Sequence, residues 1–229
     1  MTEARVAALQ PIAGAGKQLS EEVADLIVGG IAQGVFSPGD RLVEEAIASQ
    51  LAVSRVPVRE AIKTLQAQGI LIVTPNRGAR VATIDAATIA QVQEARIALE
   101  RIAAKGAMVA LREGPARAIP LQDAVGMMEV VAKRGDWAGL RRCDLTFHHE
   151  LCIASGNEIV LKLWEALSRH IAIIFGREIA SERNFDVVIG QHHRLLDLLV
   201  AGSFAVDEEI EAHIMRLSRQ EQGAAGPGH

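Results

Sequence analysis

Tyrosine is missing from this chain, and aromatic residues fill only 3% of its 229 positions. A sandwich or barrel core leans on aromatic side chains, so their scarcity beside abundant Ala, Ile, Leu and Val points to packed helices. Cysteine is nearly as rare. Cys143 and Cys152 are too few for a disulfide framework, and their separation is not a metal-ligand spacing. Both read as small buried residues of a reducing cytoplasm. No apolar run has the length of a membrane span, and no basic-then-apolar signal pattern opens the chain. The expected location is cytoplasmic.

Hydrophobic residues make up 49% and charged residues 23%, the balance of a soluble globular protein with one large domain or two modest ones. The net charge of −4 averages over unlike parts. Between Leu51 and Val81 stand Arg55, Arg59, Lys63, Arg77 and Arg80 against a single acid, Glu60, so the rest of the chain carries a net −8. A basic segment on an acidic body suits a confined nucleic-acid footprint.

Residues 1–18 contain Pro11, Gly14 and Gly16 without a sustained period and read as a flexible arm. Ser20 reads as the cap of a helix carrying Val23, Leu26, Ile27 and Ile31, closed by Gly34. After the turn at residues 37–40, a short helix over 44–51 bears Ile47, Ala48 and Leu51. Ser54 caps a third helix ending at Gly69. Two short β-branched or small-residue runs, 70–74 and 79–83, flank a Pro/Asn/Gly turn and predict a hairpin. Three helices and a hairpin over residues 19–84 form the layout of a winged helix-turn-helix. From Asp85 the period becomes helical throughout, with runs at 86–111, 115–133, 136–154, 158–177, 185–201 and 203–220. The expected class is mainly α, the second domain (85–221) being an antiparallel helical bundle. A tail at 222–229 reads as disordered.

Several segments carry a family resemblance. GVFSPGDRLVEE (34–45), VSRVPVREAI (53–62) and PNRGARV (75–81) resemble the DNA-binding domain and wing of GntR-family regulators. EARIALE (94–100), DLTFHHEL (144–151), ASGN (154–157), QHHRLL (191–196) and AHI (212–214) resemble the FCD effector domain of the FadR-like branch, in its six-helix VanR-type form.

Chemistry and resemblance together point to a DNA face. Ser54 and Arg55 open the recognition helix, where backbone N–H groups and side chains meet phosphates and base edges. Arg59 follows one turn on, and a guanidinium can clasp guanine with two hydrogen bonds. Pro57 is tolerated in the first helical turn. Lys63 continues the face as a phosphate contact, Arg77 and Gly78 form the wing tip, and Arg41 adds a phosphate contact before the second helix. Val56 stands where the family often has Thr, which offers an apolar contact such as a thymine methyl. The resemblance implies that Glu60 faces inward.

In the helical half, Asp144 and His148 are four residues apart and share a helix face. His192 and His213 come from two later helices, and an Asp with three His suits Zn²⁺, Ni²⁺ or Mn²⁺ with positions left open. Spacing alone does not separate His148 from His149 or His192 from His193. The resemblance selects His148 and His192, although the interval to His213 is about a residue shorter than the family's. His170 reads as structural. An anionic effector needs a cation in its cavity. Arg96 leads, with Arg141 or Arg142 next and Asn157 as a cap or polar contact; the competing reading pairs Arg96 with Glu94 or Glu100. The function expected is a homodimeric regulator, not an enzyme, that binds palindromic double-stranded DNA and answers to a small carboxylate metabolite through a bound metal. A metal-dependent enzyme and a purely structural metal site are the alternatives.

Overall fold

The computed structural model describes residue 9 and residues 16–75, 78–182 and 184–224. Among these residues the chain forms nine α-helices and one small antiparallel sheet, the mainly helical class read from the sequence. The chain divides into two compact units. The first extends through Ile89 and takes in Ala172–Arg177; the second comprises Ala90–Ile171 and the chain from Glu178 onward.

In the first unit, helix α1 (Gly16–Ala32) buries Val23, Ala24, Ile27, Val28 and Ile31, a stripe at three- and four-residue spacing. The helix begins ahead of Ser20, which therefore lies inside it rather than capping it. The flexible arm read at 1–18 falls mostly outside the described residues. Helices α2 (Glu44–Leu51) and α3 (Arg55–Ala67) join through Ala52, whose left-handed backbone (φ 55°, ψ 38°) reverses the chain while its N–H bonds to the carbonyls of Ala48 and Ser49. Helix α3 packs against α1 and α2. Ile27, Ile47, Leu51, Val58, Leu65 and Leu71 are fully enclosed in this core.

Strands β2 (Leu71–Thr74) and β3 (Gly78–Val81) form the hairpin, paired Leu71 to Val81 and Thr74 to Gly78. A two-residue strand, β1 (Arg41–Leu42), lies on the other side of β3 with Arg41 opposite Arg80. Two residues carry no readable period, so β1 exists only through its pairing with β3. Gly78 has φ +77°, a conformation other residues adopt at a cost, and the Arg41 guanidinium lies close above it. The segment Ala172–Arg177 enters this unit from far along the chain. Arg177 Nη1 donates to the Ile84 carbonyl at 3.0 Å, and a Cβ at Gly176 would meet the Ala32 carbonyl oxygen at 2.5 Å.

The second unit holds most of α4 (Ala86–Glu113), then a 3₁₀ turn (Pro115–Ala118), α5 (Ile119–Ala132), α6 (Trp137–Ala154), α7 (Glu158–Glu182), α8 (Phe185–Ala201) and α9 (Val206–Ala224). Asp136 caps α6 by accepting from the Gly139 N–H at 2.8 Å, and Asn184 caps α8 by accepting from the Val187 N–H at 3.3 Å. Helix α9 continues through residues 222–224, so the disordered tail expected at 222–229 does not begin there; residues 225–229 lie outside the described residues. Helix α5 packs along α6, and α8 against both α5 and α9.

The buried face of α4 changes character along its length. Gln93, Arg96 and Glu100 come first, then Ala103, Ala104, Ala107 and Leu111. Buried polar groups are costly unless satisfied, so the polar half marks where this unit builds a site rather than a core.

Candidate functional site

Two surfaces of different character emerge. The first is the exposed side of α3. Ser54 sits at its N-cap with an extended backbone, and its side chain makes no capping hydrogen bond. Arg55, Arg59 and Lys63 are exposed around it. Arg59 shares a long contact with Glu44 (3.3 Å), and Lys63 meets Glu60 at 2.8 Å. Exposed pairs of this kind are worth little and are readily exchanged for phosphate. Glu60 is itself exposed, so the inward orientation implied by the resemblance does not hold: position 60 falls on the solvent face, beside Lys63. Pro57, named with the contact residues, is buried with Val58 and Ala61 and shapes the first turn from below. Val56 is 68% exposed, an apolar side chain standing in solvent between the arginines. Arg41 is exposed on β1 beside Gly78; Arg77 lies outside the described residues.

The second site is buried. Asp144 and His148 on α6, His192 on α8 and His213 on α9 each offer an atom, and these atoms lie within 4.8 Å of one another. His192 Nε2 is 3.1 Å from Asp144 Oδ1, and His148 Nε2 is 3.1 Å from His213 Nε2. Asp144 Oδ1 lies 3.9 Å from His148 Nε2 and 4.0 Å from His213 Nε2. The doublets separate cleanly: His149 turns outward to Glu165 (3.1 Å) and His193 to Glu129 (2.9 Å). His170 is not part of the cluster.

Proton positions follow from the partners. His192 Nδ1 is 2.8 Å from the Val188 carbonyl, which can only accept, so Nδ1 carries the hydrogen and Nε2 presents a lone pair. His148 Nδ1 is 2.8 Å from Glu100 Oε2, a close contact without hydrogen-bond alignment, and the carboxylate beside it favours the hydrogen on Nδ1. Two imidazole lone pairs therefore face the Asp144 carboxylate, whose oxygens have no hydrogen bond. The His148–His213 contact can hold one proton between its two Nε2 atoms, but the carboxylate has no donor, and it faces lone pairs that repel it unless a cation lies among them. Separations of 3–4 Å between donor atoms are also what bonds of about 2.0–2.2 Å to one ion produce. The residues present can hold a metal ion.

Glu100, on α4, supports this arrangement from behind. Its Oε1 accepts from Arg96 Nε at 2.7 Å and from Trp164 Nε1 at 2.9 Å. Burial acts to raise the Glu100 pKa, but Arg96 and His148 overcome it and hold the carboxyl below its ordinary range. Asp144 behaves alike: burial opposes ionisation, while His192, at 3.1 Å, and the neighbouring His148 and Arg96 favour it, and its pKa is lowered. Burial lowers His148, partly offset by Glu100; it lowers His213 well below the usual imidazole value, reinforced by His192 and His148.

From the sequence Glu100 is only a surface partner for Arg96; in the structure it is buried and also meets Trp164 and His148. Its signal was Gln93, Arg96 and Glu100 at helical spacing on a face that is otherwise apolar. Of the effector candidates, Arg96 is balanced by Glu100. Arg142 is exposed near Asp136 (3.5 Å), and exposed Asn157 caps α7 by accepting from the N–H groups of Ile159 and Val160. Arg141 is buried, and among the described residues no hydrogen bond or ion pair engages its guanidinium.

Comparison with known proteins assigns the two halves of the chain to known domain types. Residues 19–81 match "Bacterial regulatory proteins, gntR family", and residues 91–216 match the FCD domain. The chain is 30% identical over 197 residues to a protein of Paenarthrobacter nicotinovorans described as a D-xylose utilization operon transcriptional repressor, covering 86% of this chain and 84% of that one. In fold it is similar to a GntR transcriptional regulator from Rhodococcus sp. RHA1 (TM-score 0.72, 24% identity, covering 90% of this chain and 99% of that one). It is similar in the same sense to E. coli McbR/YncC (TM-score 0.73, 22% identity, 90% and 96%). Among the described residues no helix is long and apolar enough to cross a membrane. The chain belongs to the GntR family of DNA-binding transcriptional regulators, with a winged helix-turn-helix followed by an FCD domain.

Proposed function

We propose that this regulator binds a palindromic operator as a homodimer and holds a divalent metal ion at Asp144, His148, His192 and His213. Its DNA affinity answers to a small carboxylate bound at that site. One observation carries the metal reading: imidazole nitrogens from three helices converge on a buried carboxylate whose oxygens accept no hydrogen bond. A bound ion would supply a Lewis-acidic position for the effector's carboxylate.

The chain's own residues do the rest. Val188 and Glu100 fix the two histidines in the tautomer that a ligand needs, and burial holds His148 and His213 neutral. On the DNA side, Arg55 and Arg59 reach base edges while Ser54, Lys63, Arg41, Gly78 and Arg77 meet the backbone, with Pro57 shaping the helix start. The effector changes DNA affinity only if it prefers one arrangement of the two units. Helices α4 and α7 each run without interruption through residues of both units, so a shift at Glu100 has a covalent route to the winged unit.

Native mass spectrometry of the full chain, with operator binding measured in parallel, tests the reading. One metal per subunit in a dimer is expected. The His148→Ala, His192→Ala double variant should lose the metal and the ligand response yet keep nearly the unliganded DNA affinity. Metal retained at one per subunit in that variant places the ion elsewhere and ends this proposal.

A further inference from the structure

Arg141 is a charge in want of a partner. It is 8% exposed, and no described carboxylate or carbonyl engages it. Arginine remains protonated at any physiological pH, and a buried charge without a counter-charge is costly. The neighbouring groups are committed elsewhere. Glu100 is held by Arg96, Trp164 and His148, Asp144 faces three imidazoles, and Asp136 lies toward Arg142.

Its place on α6 gives the unpaired charge a meaning. At about 100° per residue, Trp137, Arg141, Asp144 and His148 fall within an arc of roughly 60° on one helix face. On α8, Phe185 and His192 are likewise two turns apart on one face. The Trp137 ring stacks on Phe185 with centroids 3.6 Å apart, and two turns on Asp144 meets His192 at 3.1 Å. Helices α6 and α8 thus keep a matched register from the aromatic stack to the Asp/His cluster, and Arg141 occupies the stretch between. Its Cα is about 4.5 Å along the axis from that of Asp144. Helical side chains lean toward their helix N-terminus, a tendency that favours the Trp137 end of this face for the Arg141 guanidinium.

Charge counting sets the ligand class. At the cluster Arg96 offsets one of the two carboxylates, Asp144 and Glu100, and the imidazoles are neutral, as metal ligands must be. A divalent ion then leaves one positive charge at the cluster and the unpaired Arg141 a second, which a dicarboxylate cancels and a monocarboxylate does not. We propose that Arg141 receives the second carboxylate of a dicarboxylate whose first carboxylate faces the Asp144, His148, His192 and His213 cluster, with the Trp137–Phe185 stack closing that end of the site. This rests on the reading of the cluster as a metal-dependent carboxylate site, and it moves the effector's anchor from Arg96 to Arg141.

Calorimetric titration of full-length wild-type, Arg141→Met and Arg141→Lys protein with succinate, glutarate and adipate, and with acetate and butyrate, tests it; metal content is measured alongside. Wild type should bind at least one dicarboxylate about tenfold or more tighter than either monocarboxylate, a difference an added charge-assisted contact readily gives. Arg141→Met should abolish that preference while metal content and monocarboxylate affinity remain, and Arg141→Lys should keep part of it. Without ligand, Arg141→Met should raise the Tm by roughly 2–4 °C, because an uncompensated charge has been removed; a structural arginine would lower it. Metal-loaded wild type that binds both classes alike, an Arg141→Met protein that keeps the preference, or a lowered Tm in that variant overturns the assignment of Arg141 and leaves the metal reading standing. Wild type that takes up no metal overturns both.

Discussion

Glu100 Oε2 lies 2.8 Å from His148 Nδ1, between two side chains with no exposed surface. A carboxylate in that position stabilises the Nδ1–H tautomer and aims the Nε2 lone pair at the cluster. Glu100→Gln removes the charge and lets an amide N–H face Nδ1 instead, which favours the opposite tautomer. Metal affinity measured by chelator competition should fall about 10–100-fold, the usual cost of losing such a partner. Nitrogen NMR of the metal-free protein should show His148 protonated at Nδ1 in wild type and mixed in the variant. Unchanged affinity together with an unchanged tautomer would show that His148 is oriented by something else.

Acid should destabilise the metal-free protein before it reaches the carboxylates. The pKa values of His148 and His213 are lowered by burial, so the unfolded chain binds more protons than the folded one below the ordinary imidazole value of about 6.5. Stability is complete above that value and is lost as the pH falls through it. Asp144 and Glu100, also lowered, add a second loss in the ordinary carboxylate range, near pH 4. Thermal melts from pH 7.5 to 5.5 should show a falling Tm, and His213→Gln should flatten that slope. A Tm flat across this range in wild type would mean that the cluster accepts protons without penalty.

Much of the helical half was legible because its breaks are chemical. Gly135 with Asp136, Gly156 with Asn157, and Gly202 end and restart helices through left-handed glycines and side-chain caps that any sequence reader can name. The cluster was legible because Asp144 and His148 share a face, and the shortened interval to His213 did not prevent that residue from joining them. What was hidden depends on partners distant in sequence. Strand β1 exists through β3, Glu100 acquires its role from His148 and Trp164, and Ala172–Arg177 leaves its own helical unit because Gly176 fits against Ala32. Glu60 was misread since nothing local distinguishes an inward acid from one that meets Lys63 in solvent.

The exposed arginines of α3 should divide their labour with Lys63. Replacing Arg55 or Arg59 by Ala should cost about 1–3 kcal/mol at a selected operator and relax the base preference at the position each reads. Lys63→Ala should weaken binding to all sequences and reduce the salt slope by about one unit. Fluorescence anisotropy across a salt series separates the two effects. A folded Arg55→Ala, Arg59→Ala double variant with wild-type operator affinity would remove α3 from the role of reading helix.

Val56 offers the most local test of sequence reading. Its isopropyl group is 68% exposed in the first turn of α3, flanked by Arg55 and within one turn of Arg59. An exposed valine gains nothing from solvent, whereas in the major groove it has a natural counterpart in the C5-methyl of thymine. An operator selected from random DNA should therefore carry a thymine that matters through its methyl group alone. Replacing that base with deoxyuridine deletes the methyl and keeps every hydrogen-bonding group, so a loss of affinity reports apolar contact only. The loss should be about 1 kcal/mol, the scale of burying one methyl or methylene group. In Val56→Ala protein, thymine and deoxyuridine operators should bind alike, and Val56→Thr should retain part of the preference through its own methyl. If wild type does not distinguish deoxyuridine from thymine at any position of the operator, Val56 reads no methyl group and its exposure serves no recognition of this kind.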